Sequence, residues 1–254
     1  MKKNREISLL DTTLRDGSYT IGYQFSLLDN MVICSGLEKA GVKHIEIGHG
    51  TGLGTYRIDN NSQAYSDKEY MLSASKSLSD AEFGFFFIPG IGNSDDISML
   101  SDHDGDFIRI GTSIEGFKEA KKFIKLAKKL NIKFWINLMK SYVYSHKEFA
   151  EFSRVSLLEG AEGIYLVDSA GGMLPDEVNK YILEAKDKLA SEDIGNFKLG
   201  FHGHENLSLG SACALSAVQS GADIIDGSLH GIGRSIGNSP IETLAMIISK
   251  AGYS

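Results

Sequence analysis

The stretch Lys133-Phe-Trp-Ile-Asn-Leu138 is followed by a helical pattern over Lys147–Glu159 and then by a second apolar run, Gly163–Val167. Ser145 stands before the helical pattern and Gly160 directly after it, and these residue types commonly begin and end helices. Neither apolar run shows the polar alternation of a half-exposed strand, as is typical of parallel sheets that are buried on both faces. The stretch therefore predicts a parallel strand–helix–strand unit.

The same unit repeats from one end of the chain to the other. The candidate strands are Ile7–Leu10, His44–Gly48, Phe83–Ile88, Phe107–Gly111, Lys133–Leu138, Gly163–Val167, Lys198–His202 and Ile224–Gly227. The candidate helices are Leu27–Ala40, Lys68–Leu78, Asp95–Ser101, Ile114–Leu130, Lys147–Glu159, Asp176–Leu189, Leu207–Gly221 and Ile241–Ala251. Eight units of about thirty residues each predict an α/β fold, a single-domain (β/α)8 TIM barrel. The alternative, an open doubly wound sheet, usually carries a glycine-rich dinucleotide loop after its first strand, and Asp11-Thr-Thr-Leu-Arg-Asp-Gly17 stands there instead.

Composition and charge exclude several classes of protein. Of the 254 residues, 42% are hydrophobic and 23% are charged, which excludes a disordered chain, a collagen and a small disulfide scaffold. The apolar runs are shorter than the roughly 20 residues of a membrane helix, and none follows the first lysines as a signal peptide requires. The net charge of −7 comes without a basic face for nucleic acid. We expect a cytoplasmic protein with reduced Cys34 and Cys213 and no nucleic-acid or membrane partner. The sequence does not decide the oligomeric state, and a homo-oligomer is one of the options.

Chemistry in such barrels takes place at the C-terminal ends of the strands. The polar residues that follow or end the predicted strands are numerous, and we expect them to form one ring around a pocket. They are Asp11, Arg15, Asp16, Glu46, His49, Thr112, Ser113, Asn137, Lys140, Asp168, Ser169, His202, His204, His230, Arg234 and Asn238.

His202-Gly-His204 ends the seventh strand, and residues two apart on a strand face the same side. Asp16 is the carboxylate that we expect nearby, because the first strand of a closed barrel adjoins the eighth. Two imidazoles and one carboxylate predict a divalent-metal site with open positions, against the alternative of two structural histidines. Arg15 could stabilise a developing enolate there, form a salt bridge to Glu46, or do both.

Three separated motifs resemble the superfamily of metal-dependent pyruvate aldolases and HMG-CoA-lyase-like enzymes, the DRE-TIM metallolyases. In chain order they are Asp11–Gly17, His202–His204 and Gly231-Ile-Gly-Arg-Ser-Ile-Gly-Asn238. The resemblance implies a TIM barrel that binds a divalent metal, most often Mn²⁺ or Mg²⁺. The implied metal ligands are Asp16, His202 and His204, with Asn238 contributing to the metal site as in the lyase and synthase branches. It also implies that Arg15 stabilises an enolate.

Within that superfamily the chain is most similar to the 4-hydroxy-2-oxovalerate aldolase branch, in Ile45-Glu-Ile-Gly-His-Gly-Thr-Gly-Leu-Gly54 and in Val167-Asp-Ser-Ala-Gly171. The serine of the second segment helps to bind the pyruvate carboxylate in that branch, so Ser169 is the candidate here. Glu46 and Asn137 complete the predicted substrate-binding set with Arg15. The implied reaction cleaves or forms a 4-hydroxy-2-oxo acid through a pyruvate-type enolate, with a small 2-oxo acid and an aldehyde as partners.

The chain departs from that branch at three places. The branch has an acid/base histidine two residues after Arg-Asp-Gly, and Tyr19 stands there. An unperturbed tyrosine, with a pKa of about 10, is a poor base at neutral pH but can act as an acid, so His49 and His230 are alternatives. The expected domain is 1–254, without a C-terminal communication or regulatory domain. The glycine-rich loop lacks the cysteine that HMG-CoA lyase uses, which disfavours the lyase reaction.

Four alternatives are weighed against this aldolase. A CoA-dependent Claisen-type acyltransferase, similar to isopropylmalate or homocitrate synthase, shares the metal ligands. A Schiff-base aldolase would use Lys140 and leave the histidines without a purpose. A catalytically silent ligand-binding barrel is suggested by Tyr19. A metal-dependent hydrolase of the amidohydrolase type carries its His-x-His motif after the first strand, not the seventh.

Overall fold

A computed structural model describes residues 5–58, 63–195 and 197–254. In these residues eight parallel strands close into a barrel in chain order, each followed by a helix. The strands are β1 Ser8–Asp11, β2 His44–Ile47, β3 Glu82–Phe87, β4 Phe107–Thr112, β5 Lys133–Leu138, β6 Gly163–Asp168, β7 Lys198–Gly203 and β8 Ile224–Gly227. The helices are α1 Leu27–Lys39, α2 Asp67–Ser77, α3 Ser94–Asp102, α4 Phe117–Lys129, α5 His146–Leu158, α6 Pro175–Ser191, α7 Gly210–Ser220 and α8 Ile241–Lys250. The predicted TIM barrel is confirmed.

The predicted bounds differ from the observed ones by a few residues at helix ends. We expected α4 to begin at Ile114, but it begins at Phe117 because Ser113 Oγ accepts the amide of Gly116 and closes a turn before it. We expected α7 to begin at Leu207, but it begins at Gly210, where the Glu205 carboxylate accepts the first helical amides. Side-chain acceptors outside the periodic pattern thus decide where these helices begin.

Helix-end residues act as the sequence indicates. Ser145 Oγ accepts the amide of Glu148 at the beginning of α5, and the Glu148 carboxylate accepts the amide of Ser145 in return. Pro175 is the first residue of α6. The glycines after α1, α5 and α7 have φ between 90° and 124°, the left-handed region that favours glycine; they are Gly41, Gly160 and Gly221.

Two apolar layers support the barrel. The larger layer lies between the strands and the surrounding helices and includes the two free, buried cysteines, Cys34 and Cys213. A smaller cluster fills the barrel interior: Leu10, Phe107, Trp135, Tyr165, Val167 and Ile224. Within the described part of the chain, no helix combines the length and apolar character needed to cross a membrane.

Candidate metal centre and active site

Three side chains that can ligate a metal meet at the mouth of the barrel. Asp16, His202 and His204 each offer one ligand atom, and the three atoms lie within 4.8 Å of one another. His202 belongs to β7 and His204 follows it directly, so both side chains leave the same side of the strand. Asp16 follows β1, which pairs with β8, the neighbour of β7. The structure thus brings together the three residues that the sequence singles out.

The buried metal-ligand candidates border a cavity of about 340 Å³ at the mouth. Four more residues of the predicted site also line it: Arg15, Tyr19, Asn137 and Ser169. The apolar part of the wall comes from the ends of β3, β5 and β6 and the segments that follow them: Phe86, Ile88, Met139, Val143 and Val167. A small, partly apolar cavity with converging polar groups is the usual form of a small-molecule site.

Buried polar atoms without partners support a metal at this place. Within the described residues, Nδ1 of His204 and Oδ1 of Asn238 are buried and make no hydrogen bond. Asn238 Nδ2 donates to Asp16 Oδ1 over 3.1 Å, which brings its amide to the proposed ligands. Unsatisfied buried acceptors are costly, and a bound cation removes such a cost. The residues present therefore fit a divalent ion.

The protonation states of the candidate ligands also fit. Burial, together with the neighbouring His202, lowers the pKa of His204 to about 4, so its imidazole is neutral at neutral pH. Burial alone would raise the pKa of Asp16, but Arg15 and the two histidines outweigh it and hold that pKa below its usual range. A neutral imidazole and an ionised carboxylate are the forms that bind metal ions.

Arg15 makes the salt bridge to Glu46 that the sequence analysis considered for it. Its Nε donates to Glu46 Oε2 over 2.6 Å and its Nη1 to Asp16 Oδ2 over 2.5 Å, while the side chain borders the cavity. The salt bridge to Glu46 is therefore present and fixes the guanidinium beside the candidate metal ligands. A guanidinium held at two nitrogens has little freedom left to reorient.

Two charged residues under the cavity escaped the sequence analysis. Arg109 of β4 is fully buried and donates to both oxygens of Glu46, each over 2.8 Å, and to Asp226 Oδ2 over 2.6 Å. Asp226 of β8 lies in turn 2.9 Å from Nδ1 of His202. An unbroken series of charged contacts thus joins two candidate ligands beneath the cavity: Asp16, Arg15, Glu46, Arg109, Asp226 and His202. Arg109 and Asp226 each lie within an apolar strand, where a charged side chain requires an opposite charge. That requirement could have indicated both residues from the sequence.

Glu46 does not reach the cavity, although we expected it to bind substrate. Its side chain is fully buried, and its two oxygens are engaged by Arg109 and Arg15. Burial alone would raise the pKa of Glu46, but the two arginines lower it to about 2. The structure therefore makes Glu46 a support for Arg15 and not a contact for the substrate.

The two alternative acid/base histidines also lie away from the cavity lining. His49 stacks on Tyr23 with ring centres 3.8 Å apart, and its Nδ1 lies 2.8 Å from Thr51 Oγ1. Gly48 precedes it with a φ of 101°, in the left-handed region that favours glycine. His230 is exposed beside Glu242, whose carboxylate accepts its amide. Of the three candidates, Tyr19 is the one that borders the cavity.

Tyr19 is half-buried, and its ring packs against the backbone of Gly50, where a Cβ atom would come within 2.3 Å of the ring. Burial raises the pKa of Tyr19 above its usual value of 10 despite the opposing charge of Arg15. The phenol is therefore protonated at neutral pH. It can donate a proton but is not a resident base.

Ser169 and Lys140 approach each other at the rim of the cavity. The Lys140 amide donates to Ser169 Oγ over 3.1 Å, which leaves the serine hydroxyl hydrogen available to a ligand. Lys140 itself is exposed. A Schiff-base lysine works through burial and a lowered pKa, so the exposed Lys140 does not support a Schiff-base aldolase.

Comparisons with known proteins show which family and fold the chain resembles. The HMGL-like family model matches residues 108–254. The chain is 34% identical to a 4-hydroxy-2-oxovalerate aldolase of Alkalilimnicola ehrlichii over 99% of its own length and 72% of that protein. It is 35% identical to the enzyme of the same name from a Marinomonas species, over 98% of this chain and 73% of that one. The carboxyl transferase domain of Rhizobium etli pyruvate carboxylase has the same fold, with a TM-score of 0.83 and 14% identity over 97% of this chain and 44% of that chain.

Proposed function

Because the chain belongs to the HMGL-like family and groups Asp16, His202 and His204 beside Arg15, we propose that it is a divalent-metal-dependent aldolase. It would cleave or form the C–C bond of a 4-hydroxy-2-oxo acid, with a small 2-oxo acid and an aldehyde as the other partners. The convergence of the three ligands within 4.8 Å is the observation that carries the proposal. We place the enzyme in the cytoplasm, because Cys34 and Cys213 are free and buried.

The ligands proposed for the metal are Asp16, His202 and His204, with the amide oxygen of Asn238 beside them. Mn²⁺ or Mg²⁺ bound there would supply Lewis-acid polarisation of the 2-keto group. Asp226 supports this arrangement because it accepts from Nδ1 of His202, which leaves Nε2 of that ring as its ligand atom.

Arg15 is the proposed stabiliser of the enolate. As the bond between C3 and C4 breaks, its electron pair moves toward the former keto oxygen, and negative charge develops there. Nη2 of Arg15 has no hydrogen-bond partner among the described residues and can donate to that oxygen. Since Glu46 and Asp16 already hold the guanidinium, it does not need to reorganise during the reaction.

Tyr19 is the proposed proton carrier. In the direction of aldol addition, its protonated phenol would donate to the aldehyde oxygen as that oxygen becomes a hydroxyl. In cleavage the phenol would first give its proton to solvent, and the resulting phenolate would take the proton of the 4-hydroxyl group. Burial raises the pKa of Tyr19 and makes the phenolate scarce at neutral pH, while the positive charge of Arg15 partly offsets that rise.

Ser169 and Asn137 are the proposed groups that orient the substrate. The hydroxyl of Ser169 can donate to a carboxylate because its oxygen already accepts the Lys140 amide. Asn137 lines the cavity, and its buried Oδ1 has no partner within the described residues. Both side chains thus offer hydrogen bonds that the protein itself does not satisfy.

Pyruvate release tests the proposal. We would incubate the protein with Mn²⁺ and a set of 4-hydroxy-2-oxo acids, follow pyruvate, and compare it with the His202→Ala variant. We expect pyruvate from at least one acid with the wild type and none above background with the variant. Metal-loaded wild-type protein that releases no pyruvate, but releases thiol from acetyl-CoA in the presence of 2-oxo acids, would favour the Claisen-type acyltransferase instead.

A further inference from the structure

Two basic residues that the proposed chemistry does not use line the cavity. Lys140 follows β5 and Arg234 belongs to the glycine-rich loop after β8. Neither has a carboxylate within ion-pair distance among the described residues, and Asp16 is the single acidic residue in the described lining. A positive rim on a chain of net charge −7 concentrates anionic ligands at this mouth.

The metal centre does not need these two cations for charge balance. The series that joins Asp16 to His202 contains three carboxylates, from Asp16, Glu46 and Asp226, and two guanidiniums, from Arg15 and Arg109. It therefore carries one net negative charge. A divalent ion converts that into one positive charge, which the carboxylate of a single 2-oxo acid neutralises. Lys140 and Arg234 then remain as two uncompensated positive charges at the rim.

Both residues contact Ser169, Lys140 through its backbone amide and Arg234 through its side chain. The amide of Lys140 donates to Ser169 Oγ over 3.1 Å, and Nη2 of Arg234 donates to Ser169 O over 2.7 Å. The backbone amide of Arg234 also donates to Asp16 Oδ1 over 2.9 Å, which ties its loop to the metal centre. The guanidinium of Arg234 is thus held at the rim, and the backbone of Lys140 is held beside it.

The backbone at Lys140 is in an unusual conformation. Its φ of 55° and ψ of 45° lie in the left-handed region, which is unfavourable for a residue other than glycine. Such conformations are concentrated at functional sites. A lysine thus occupies a position at the edge of the cavity where a glycine would be less strained.

We propose that the cavity takes a 2-oxo acid whose far end carries a second anionic group, with Lys140 and Arg234 as the partners of that group. The inference rests on the proposed function, since it assumes that the 2-oxo acid end lies at the metal centre. The apolar wall formed by Phe86, Ile88, Met139 and Val143 would contact the carbon chain between the two ends. A guanidinium and an ammonium suit a carboxylate or a phosphate equally.

Binding of matched ligand pairs tests this without requiring turnover. Calorimetry with Mn²⁺ present would compare 2-oxoglutarate with 2-oxovalerate, and 2-oxoadipate with 2-oxohexanoate, pairs that differ in the charge at the far end. The phosphonate analogue of 2-oxoglutarate distinguishes a phosphate group from a carboxylate. We expect the charged member of at least one pair to bind the wild type about tenfold more tightly or better.

The Lys140→Met/Arg234→Met double variant should bring that ratio close to one while it leaves binding of 2-oxovalerate and 2-oxohexanoate, which lack the second charge, within about twofold. Lys147→Met, an exposed lysine of α5 outside the cavity lining, is the matched control and should keep the wild-type ratio. Equal or weaker binding of every charged member by the wild type, or an unchanged ratio in the double variant, would overturn the proposal. Absence of pyruvate release in the same preparation would instead count against the aldolase activity, so the two failures are distinguishable.

Discussion

Nδ1 of His202 lies 2.9 Å from Oδ2 of Asp226, and the same oxygen accepts a hydrogen bond from Arg109 over 2.6 Å. An ionised carboxylate can only accept, so the proton of the His202 ring resides on Nδ1. Nε2 then carries the lone pair that a metal requires. The buried carboxylate beneath the mouth therefore determines which nitrogen of His202 can act as a ligand.

Asp226→Asn should weaken metal binding without removing any proposed ligand. The amide can donate toward Nδ1 and favour the wrong ring tautomer, so we expect Mn²⁺ affinity to fall by about 10–100-fold. Titration of Mn²⁺ followed by electron paramagnetic resonance measures this directly. Asp223→Asn, just before the opposite end of β8, is the control and should bind Mn²⁺ like the wild type. An affinity unchanged by Asp226→Asn would show that Asp226 does not orient His202.

Arg15→Lys should slow the reaction more than it weakens substrate binding. Lysine keeps the positive charge but loses the planar arrangement of nitrogens with which the guanidinium donates to Glu46 and Asp16 and still faces the substrate. We expect kcat to fall by about 10²–10³-fold, as for the loss of one oxyanion donor, with KM changed much less. Steady-state kinetics of pyruvate release give both constants. A rise in KM with kcat preserved would make Arg15 a residue for substrate binding only.

Arg109→Met should destabilise the fold. The substitution leaves Glu46 and Asp226 buried without their shared partner, and breaking a buried pair in this way costs about 3–5 kcal/mol. Urea unfolding followed by circular dichroism measures the free energy of unfolding. Arg154→Met on α5, whose contacts with Glu151 and Glu192 lie at the surface, should cost far less, because exposed ion pairs contribute little to stability. Similar losses in the two variants would contradict the importance of the buried network.

Tyr19 should show its role in the pH dependence of the rate. Burial holds its pKa above the usual value of 10, so the donor form persists through neutral and mildly alkaline pH, and no decline in the rate of aldol addition from this group is expected below about pH 9. The rate of cleavage, which needs the phenolate, should instead rise with pH toward that pKa. Tyr19→Phe should lower kcat by about 10²–10⁴-fold. Tyr19→His should recover part of that loss and introduce a change in rate near pH 6.5, the ordinary pKa of histidine. Identical pH–rate profiles for the wild type and Tyr19→His would exclude proton transfer at this position.

The sequence was sufficient for the barrel and for the three candidate ligands, because both follow from strict periodicities. Apolar runs at regular spacing predicted the strands, and the alternation of side chains along β7 predicted that His202 and His204 face one side. The closure of the barrel brought Asp16 to them, since β1 pairs with β8.

The errors occurred where three-dimensional detail overrides such periodicity. Glu46 lies near the end of its strand, as several lining residues do. Its side chain, however, is buried in the barrel and contacts Arg109, which is 63 residues away in the sequence. His49 lies outside the lining although Gly50 and Thr51 belong to it, and its ring instead stacks on Tyr23. Residue type alone does not show which partner a side chain contacts. The buried counter-charge that Arg109 requires could, however, have been anticipated from the sequence.

The account depends most directly on a metal held by Asp16, His202 and His204. Chelator-treated protein should be titrated with Mn²⁺ while bound metal and pyruvate release are followed together, for the wild type and for His202→Ala. We predict that wild-type activity rises in step with the binding of one ion per chain, and that the variant keeps its far-ultraviolet circular dichroism but neither binds the ion tightly nor releases pyruvate. Full pyruvate release by the metal-free wild type, or by His202→Ala, would contradict the account.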